Sequence, residues 1–158
     1  MKNGNAKIFA LSLCVLFAFF SCLKDSNDYE LSEGPRVNNI ILSVKDNNGN
    51  DLLSPNNPLH FSEENISLEH FTYTGKENSK NIKIIKHPNN GLYVLYLESN
   101  LKVTNSKSRT IVHWDDMISD TIEVEFSKNL SKVLKVSANN NLIWHHLQAS
   151  SLPPTIVK

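Results

Sequence analysis

The chain has 158 residues, with sixteen Lys and Arg balanced by sixteen Asp and Glu, and its two cysteines both fall within the first 22 positions. A formal charge of zero without a basic stripe argues against a nucleic-acid surface, which needs clustered cations. With no cysteine after Cys22, the rest of the chain has neither disulfide nor thiolate metal site, and packing alone must hold it together.

Lys2 and Lys7 precede an apolar run from Ile8 to Phe20 that is broken only by Ser12. A positive head, a short apolar centre and a small residue before a cut site make the pattern of a secretory signal. The run is 13 residues long, whereas a spanning helix needs about 20. Residues 1–21 are therefore expected to be a cleaved leader. Lys2 and Lys7 leave with it, so fourteen basic and sixteen acidic residues remain, a net charge of −2 over 137 residues. That length suits one domain with a hydrophobic core.

Phe19-Phe20-Ser21-Cys22 resembles a bacterial lipobox, with aromatic residues where Leu and a small residue are usual, as in Bacteroidetes-type lipoproteins. The resemblance implies that Cys22 is acylated and becomes the new N-terminus. Two or more acyl chains anchor a protein stably where one gives only marginal binding. Leu23-Lys24-Asp25 resembles the export signal of surface lipoproteins in that group, a lysine and acidic residues just past the lipidated cysteine. It implies an outer-membrane, cell-surface address set by Lys24 and Asp25. Residues 22–36 have little apolar content beyond Leu23, Tyr29 and Leu31, and are expected to form a flexible tether.

From residue 37 onward, short β-rich runs alternate with clusters of Asn, Gly, Pro and Ser. Strands are expected at 37–45, 66–73, 81–87, 92–98, 109–114, 121–126, 132–137 and 142–147. Asn serves the turns because it tolerates positive φ and bonds its own backbone. In 121–126, Ile122, Val124 and Phe126 alternate with Thr121, Glu123 and Glu125, as in a sheet with one wet face. In 132–137, Val133 and, after a slip, Leu134 and Val136 repeat the pattern. The run 92–97 is apolar on both faces, as a central strand should be. The arrangement predicts an all-β fold, an antiparallel sandwich over 37–150, with a partly open barrel as the alternative. The tail 151–158, with Pro153-Pro154, is expected to be irregular.

Ile40-Ile41-Leu42-Ser43-Val44-Lys45-Asp46 leads into Gly49-Asn50-Asp51-Leu52-Leu53 and Pro55. Trp114-Asp115-Asp116, Asp120-Thr121-Ile122 and Asn141-Leu142-Ile143-Trp144 follow. Together these segments resemble a group of small Bacteroidetes-type lipoproteins with an immunoglobulin-like β-sandwich. The resemblance implies that fold and an envelope address, and it implies no activity. Asp120-Thr121-Ile122 also resembles the O-glycosylation sequon of exported proteins in the same bacteria, with Thr121 as acceptor. Asn65-Ile66-Ser67 and Asn129-Leu130-Ser131 are sequons of the eukaryotic kind and carry little weight here.

Candidate chemistry is thin. His145 and His146 are adjacent on a strand and should face opposite ways, and His60, His70, His87 and His113 lack ligand spacing, so all six histidines are expected at surface or half-buried positions without a metal. Asp46, Asn48, Asn50 and Asp51, and separately Asp115, Asp116 and Asp120, offer hard oxygen ligands for calcium. Turn chemistry accounts for both clusters equally well, and no metal or other cofactor is expected. No nucleophile elbow or Cys–His pair is present, and Glu123 and Glu125 on one wet strand face are ordinary. Tyr73, Tyr93, Tyr96, Trp114 and Trp144 could stack on a glycan, although sandwich cores use such rings routinely. The sequence thus leads to a non-enzymatic, membrane-anchored lipoprotein that serves as an interaction or structural module, its partner a glycan or an envelope protein. The alternative is a glycan-binding accessory lipoprotein of a polysaccharide-uptake system, with contacts at Tyr93, Tyr96, Trp114 and Trp144.

Overall fold

The computed structural model describes residues 39–148 and 152–158, and the expected leader, tether, lipid site and export signal lie outside them. The described residues form ten strands: β1 (Asn39–Lys45), β2 (Ser67–Thr72), β3 (Gly75–Ser79), β4 (Ile82–Lys86), β5 (Tyr93–Glu98), β6 (Lys107–His113), β7 (Ser119–Phe126), β8 (Val133–Ala138), β9 (Asn141–His145) and β10 (Thr155–Val157). They make two sheets, β10-β1-β5-β4 and β3-β2-β6-β7-β8-β9, that share no strand pair. The fold is an all-β sandwich. Two separate sheets with their own edges rule out the barrel alternative.

The alternation in β7 decides its register. Ile122, Val124 and Phe126 are buried, while Thr121, Glu123 and Glu125 are half-exposed on the opposite face. The three apolar side chains meet Ile40, Leu42 and Val44 of β1 and Leu95 and Leu97 of β5 in one core cluster. Full burial of such a side chain contributes about 1.5–3 kcal/mol. β5 lies between β1 and β4, as its two apolar faces require. Its residues Leu95 and Leu97 enter the core, and Val94 is buried as well.

β8 carries the slip at a different residue from the one expected. Phe126 pairs with Val133 and Glu125 with Lys135, so one extra residue, Leu134, bulges out between them. Val133, Val136 and Ala138 are buried, and Leu134 stays half-exposed. The extra residue restores the inward phase for Val136.

Two strands were not legible beforehand. β3 is polar throughout and reads as loop, yet it pairs with β2 over five residues from Leu68↔Ser79 to Thr72↔Gly75. The expected irregular tail is corrected more sharply, because β10 pairs with β1 in parallel. Pro153-Pro154 holds the chain extended on its way to that edge. Pro154 O then accepts from Ser43 N at 2.9 Å, and Lys158 N donates to Lys45 O at 2.8 Å. Ile156 fills the core at 4% exposure. The sandwich therefore extends past residue 150, and it is antiparallel everywhere except at this edge.

The pairing also defines two ends of the sandwich. β1 begins at one of them, which is bounded by loops 73–74, 99–106 and 127–132. There Asn100 Nδ2 donates to Phe71 O at 2.6 Å, and Tyr73 Oη donates to Val103 O. Thr104 and Lys107 close a two-residue turn with mutual bonds of 2.9 and 3.0 Å around Asn105 and Ser106, both at positive φ. The opposite end gathers loops 46–51, 114–118 and 139–140. Its 139–140 turn uses two asparagines at positive φ, as the abundance of Asn suggested.

Candidate functional site

The outward face of the six-stranded sheet is a lattice of opposite charges set by strand register. Lys107 and Glu125 are cross-strand partners, as are Arg109 and Glu123. Lys107 Nζ lies 2.9 Å from Glu123 Oε1, Arg109 Nη2 3.5 Å from Glu123 Oε2, and Lys135 Nζ 3.4 Å from Glu125 Oε2. Lys76 Nζ reaches Glu69 Oε1 at 2.6 Å. Phe71 sits beneath two cations, Lys76 at 5.1 Å and Arg109 at 5.6 Å from its ring centre. Opposite charges facing each other across strands contribute about 0.2–1 kcal/mol each. The hydrogen bond from Lys107 holds the Glu123 carboxyl below its ordinary pKa, and Glu123 in turn raises that of Lys107.

At the β1-start end, this face opens into a shallow groove of about 340 Å³, walled by Phe71, Lys102, Thr104, Lys107, Arg109 and Glu123. Lys102 also holds both oxygens of Glu77, at 2.6 and 2.7 Å. With Glu77 and Glu123 counted, three cations stand against two carboxylates, which leaves the groove with a small positive excess. Neither His nor Cys lines the groove, so it holds no thiol and no imidazole base.

The acidic loops resolve as turn chemistry. Asp46 Oδ1 accepts from Asn48 N at 2.9 Å and Asn50 N at 2.8 Å, and Asp46 Oδ2 accepts from Asn50 Nδ2 at 2.7 Å. The Asn50 side chain, followed by its backbone N–H, lowers the Asp46 pKa. Asp51 uses its two oxygens on Leu53 N at 2.9 Å and Tyr93 N at 2.8 Å. Asp115 Oδ1 caps Met117 N and Ile118 N, both at 2.7 Å. Asp120 is buried at 4% exposure, apart from its neighbours, and accepts from Trp114 Nε1 at 2.7 Å, Asn139 Nδ2 at 2.6 Å and the Lys158 ammonium. These lone pairs point at N–H donors, and among the described residues no group of three or more His, Cys, Asp or Glu is arranged to hold a metal.

The four rings expected to contact glycan do not form a row. Trp114 is fully buried, lies tilted against Phe61 with ring centres 5.3 Å apart, and belongs to the core. Tyr93 and Trp144 are half-buried and pack against the same core. Tyr96, cross-strand from Ile41 and Lys83, points from the opposite face of β5. The alternation of β5 separates Tyr93 from Tyr96, and the buried Asp120 draws Trp114 inward. Tyr73, at 74% exposure, is the most open ring of the group.

The histidines also depart from expectation in two places. His87 is buried at 3% exposure rather than half-exposed, and its Nδ1 finds no hydrogen-bond partner among the described residues. His145 and His146 do not face opposite ways. β9 ends at His145 and the chain turns, with Gln148 N bonded to His145 O at 2.9 Å, so the two rings lie 4.6 Å apart. Thr121 is half-buried in β7 between β6 and β8, and its N–H donates to Asn139 Oδ1 at 2.9 Å.

Comparison with protein-family models, with known proteins and with solved structures finds no match. The groove was not singled out from sequence. Its signal was the stretch 99–109, which holds Lys102, Lys107 and Arg109 and no acidic residue.

Proposed function

We propose that this chain is a lipid-anchored, non-enzymatic interaction module of the bacterial envelope, acylated at Cys22 and displayed on the cell surface. The observation that carries the reading is the state of the outward sheet face. Glu123 and Glu125, the carboxylates most open to a catalytic role, are each held by cross-strand cations, and the groove beside them is shallow and cationic. A pair of acid–base carboxylates would instead converge across a cleft at a set separation. The surface is suited to contact more than to chemistry.

The immunoglobulin-like character belongs to the same reading. The order β1-β5-β4 opposite β3-β2-β6-β7 supports it, since it follows strands B-E-D opposite C′-C-F-G of that sandwich. β10 stands where strand A would, and β8 and β9 extend the other sheet. For the glycan-binding alternative, Trp114 is buried in the core, Tyr93 and Trp144 are half-buried against it, and Tyr96 lies on the other face of β5, so the groove at Phe71 would have to supply a further contact.

Labelling cells with an alkyne fatty acid tests the anchor. Wild type should take up label and Cys22→Ala should not, and equal labelling of the two removes the lipoprotein reading. Native gels containing neutral or acidic polysaccharide test the alternative, because retardation lost in Phe71→Ala would favour glycan binding.

A further inference from the structure

The loops at the two ends of the sandwich carry opposite charge. At the end where β1 begins, loops 99–106 and 127–132 and the first residue of β6 hold Lys102, Lys107, Lys128 and Lys132 and no Asp or Glu. All four lysines are exposed. Lys102 and Lys107 touch Glu77 and Glu123 on the strands, while Lys128 and Lys132 make no ion pair among the described residues. At the far end, loops 46–51 and 114–118 hold Asp46, Asp51, Asp115 and Asp116, all exposed or half-exposed, while Asp120 at the start of β7 is buried and paired with Lys158. Chain connectivity adds direction, because whatever precedes Asn39 joins the sandwich at the lysine end.

We propose that the lysine end is a membrane-facing surface that engages the anionic headgroups of the bilayer holding the lipid, and turns the acidic end away from it. The proposal rests on acylation of Cys22. Residues 23–38 extend to no more than roughly 55 Å, so an anchored sandwich stays close to the headgroups. Each lysine near an anionic surface adds roughly fivefold to partitioning, and the attraction acts within about one Debye length, roughly 8–10 Å. The pairs of Lys102 with Glu77 and Lys107 with Glu123 are half-exposed on both sides, and such pairs exchange readily for a headgroup. The far end, rich in carboxylates, is repelled by the same surface. Lipid and lysines together thus fix both position and orientation.

The test uses the full acylated protein reconstituted in vesicles that carry a nitroxide quencher on their headgroups. A fluorophore is placed at Ser131→Cys between the lysines, or at Asn48→Cys at the far end. In phosphatidylglycerol vesicles, quenching at position 131 should exceed that at 48 at least threefold. The difference should vanish in phosphatidylcholine, in high salt, and in the variant Lys102→Gln/Lys107→Gln/Lys128→Gln/Lys132→Gln. Equal quenching at the two positions, or a difference indifferent to lipid charge and salt, overturns the orientation while leaving the anchor intact. Failure of the protein to float with vesicles of either kind overturns the anchor, and the orientation with it. The salt series on the unsubstituted lysines makes the result independent of how the variant folds.

Discussion

Lys158, just past β10 at the edge of the four-stranded sheet, places its ammonium on the carboxylate of Asp120 in β7 of the six-stranded sheet. The pair bridges the two sheets, and the lysine also lies 5.4 Å from the centre of the Trp114 ring, whose Nε1 bonds the same carboxylate. Lys158→Met leaves that carboxylate buried without its ammonium partner, and Asp120→Asn removes the charge from the other side. Breaking a buried pair from one side costs about 3–5 kcal/mol, and the partial exposure of Lys158 points to the lower end. Asp120→Asn combined with Lys158→Met should recover most of the loss. Urea midpoints of the two singles and the double measure the coupling, and simple additivity would show that the pair does not act as a unit.

Phe126 closes the inward row of β7 at 2% exposure. Phe126→Ala should destabilise the sandwich by about 3–5 kcal/mol through lost transfer and a residual cavity. Glu125→Ala, on the wet face beside it, should cost less than about 1 kcal/mol. Equal losses in thermal melts of the two variants would contradict the assigned register.

His70 supplies a pH dependence. Burial holds its imidazole below the ordinary value of 6.5, with Lys102 adding to the depression and Glu98 and Glu77 opposing it. Nδ1 lies 2.9 Å from Thr110 Oγ1. Between its folded pKa and about 6.5, the unfolded chain binds a proton that the folded chain does not. The stability associated with neutral His70 is therefore complete above about pH 6.5 and declines as pH falls toward the folded pKa. His70→Gln should flatten the change in urea midpoint between about pH 7 and pH 5. An unchanged slope would assign that pH dependence to other groups.

Surface display is tested by proteolysis. Lys24→Ala with Asp25→Ala should keep fatty-acid labelling and folding but withdraw the sandwich from protease added to intact cells. If the wild-type sandwich already resists protease in intact cells and is cut only after lysis, it faces the periplasm and the export assignment fails.

The strands were legible where burial depends on one face. Residues 121–126 announced β7 because Ile122, Val124 and Phe126 have no alternative inward set, and the doubly apolar run 92–97 located a central strand. β3 was invisible because its Gly-Lys-Glu-Asn-Ser sequence contributes only backbone bonds to the edge of β2. β10 was hidden by its three-residue length and by two prolines that suggested irregular chain. Trp114 shows the limit for sites. At the end of the expected strand 109–114 it could equally stack on a glycan or enter the core, until Asp120, six residues away, is seen to satisfy its indole N–H from inside. The cationic groove depends on loop 99–106 folding back against Phe71, a meeting that spacing along the chain does not encode.

The parallel edge between β1 and β10 bears on the order in which the molecule can assemble. Ser43 and Thr155, bonded through their hydroxyls, are 112 residues apart in sequence. Closing so long a loop is entropically expensive and tends to come late on a folding path. Until residues 153–158 arrive, β1 lacks one neighbour and Asp120 lacks its lysine, so early intermediates hold an open sheet edge beside an undercompensated carboxylate. Such a chain commits to its native state only after most of its length is available.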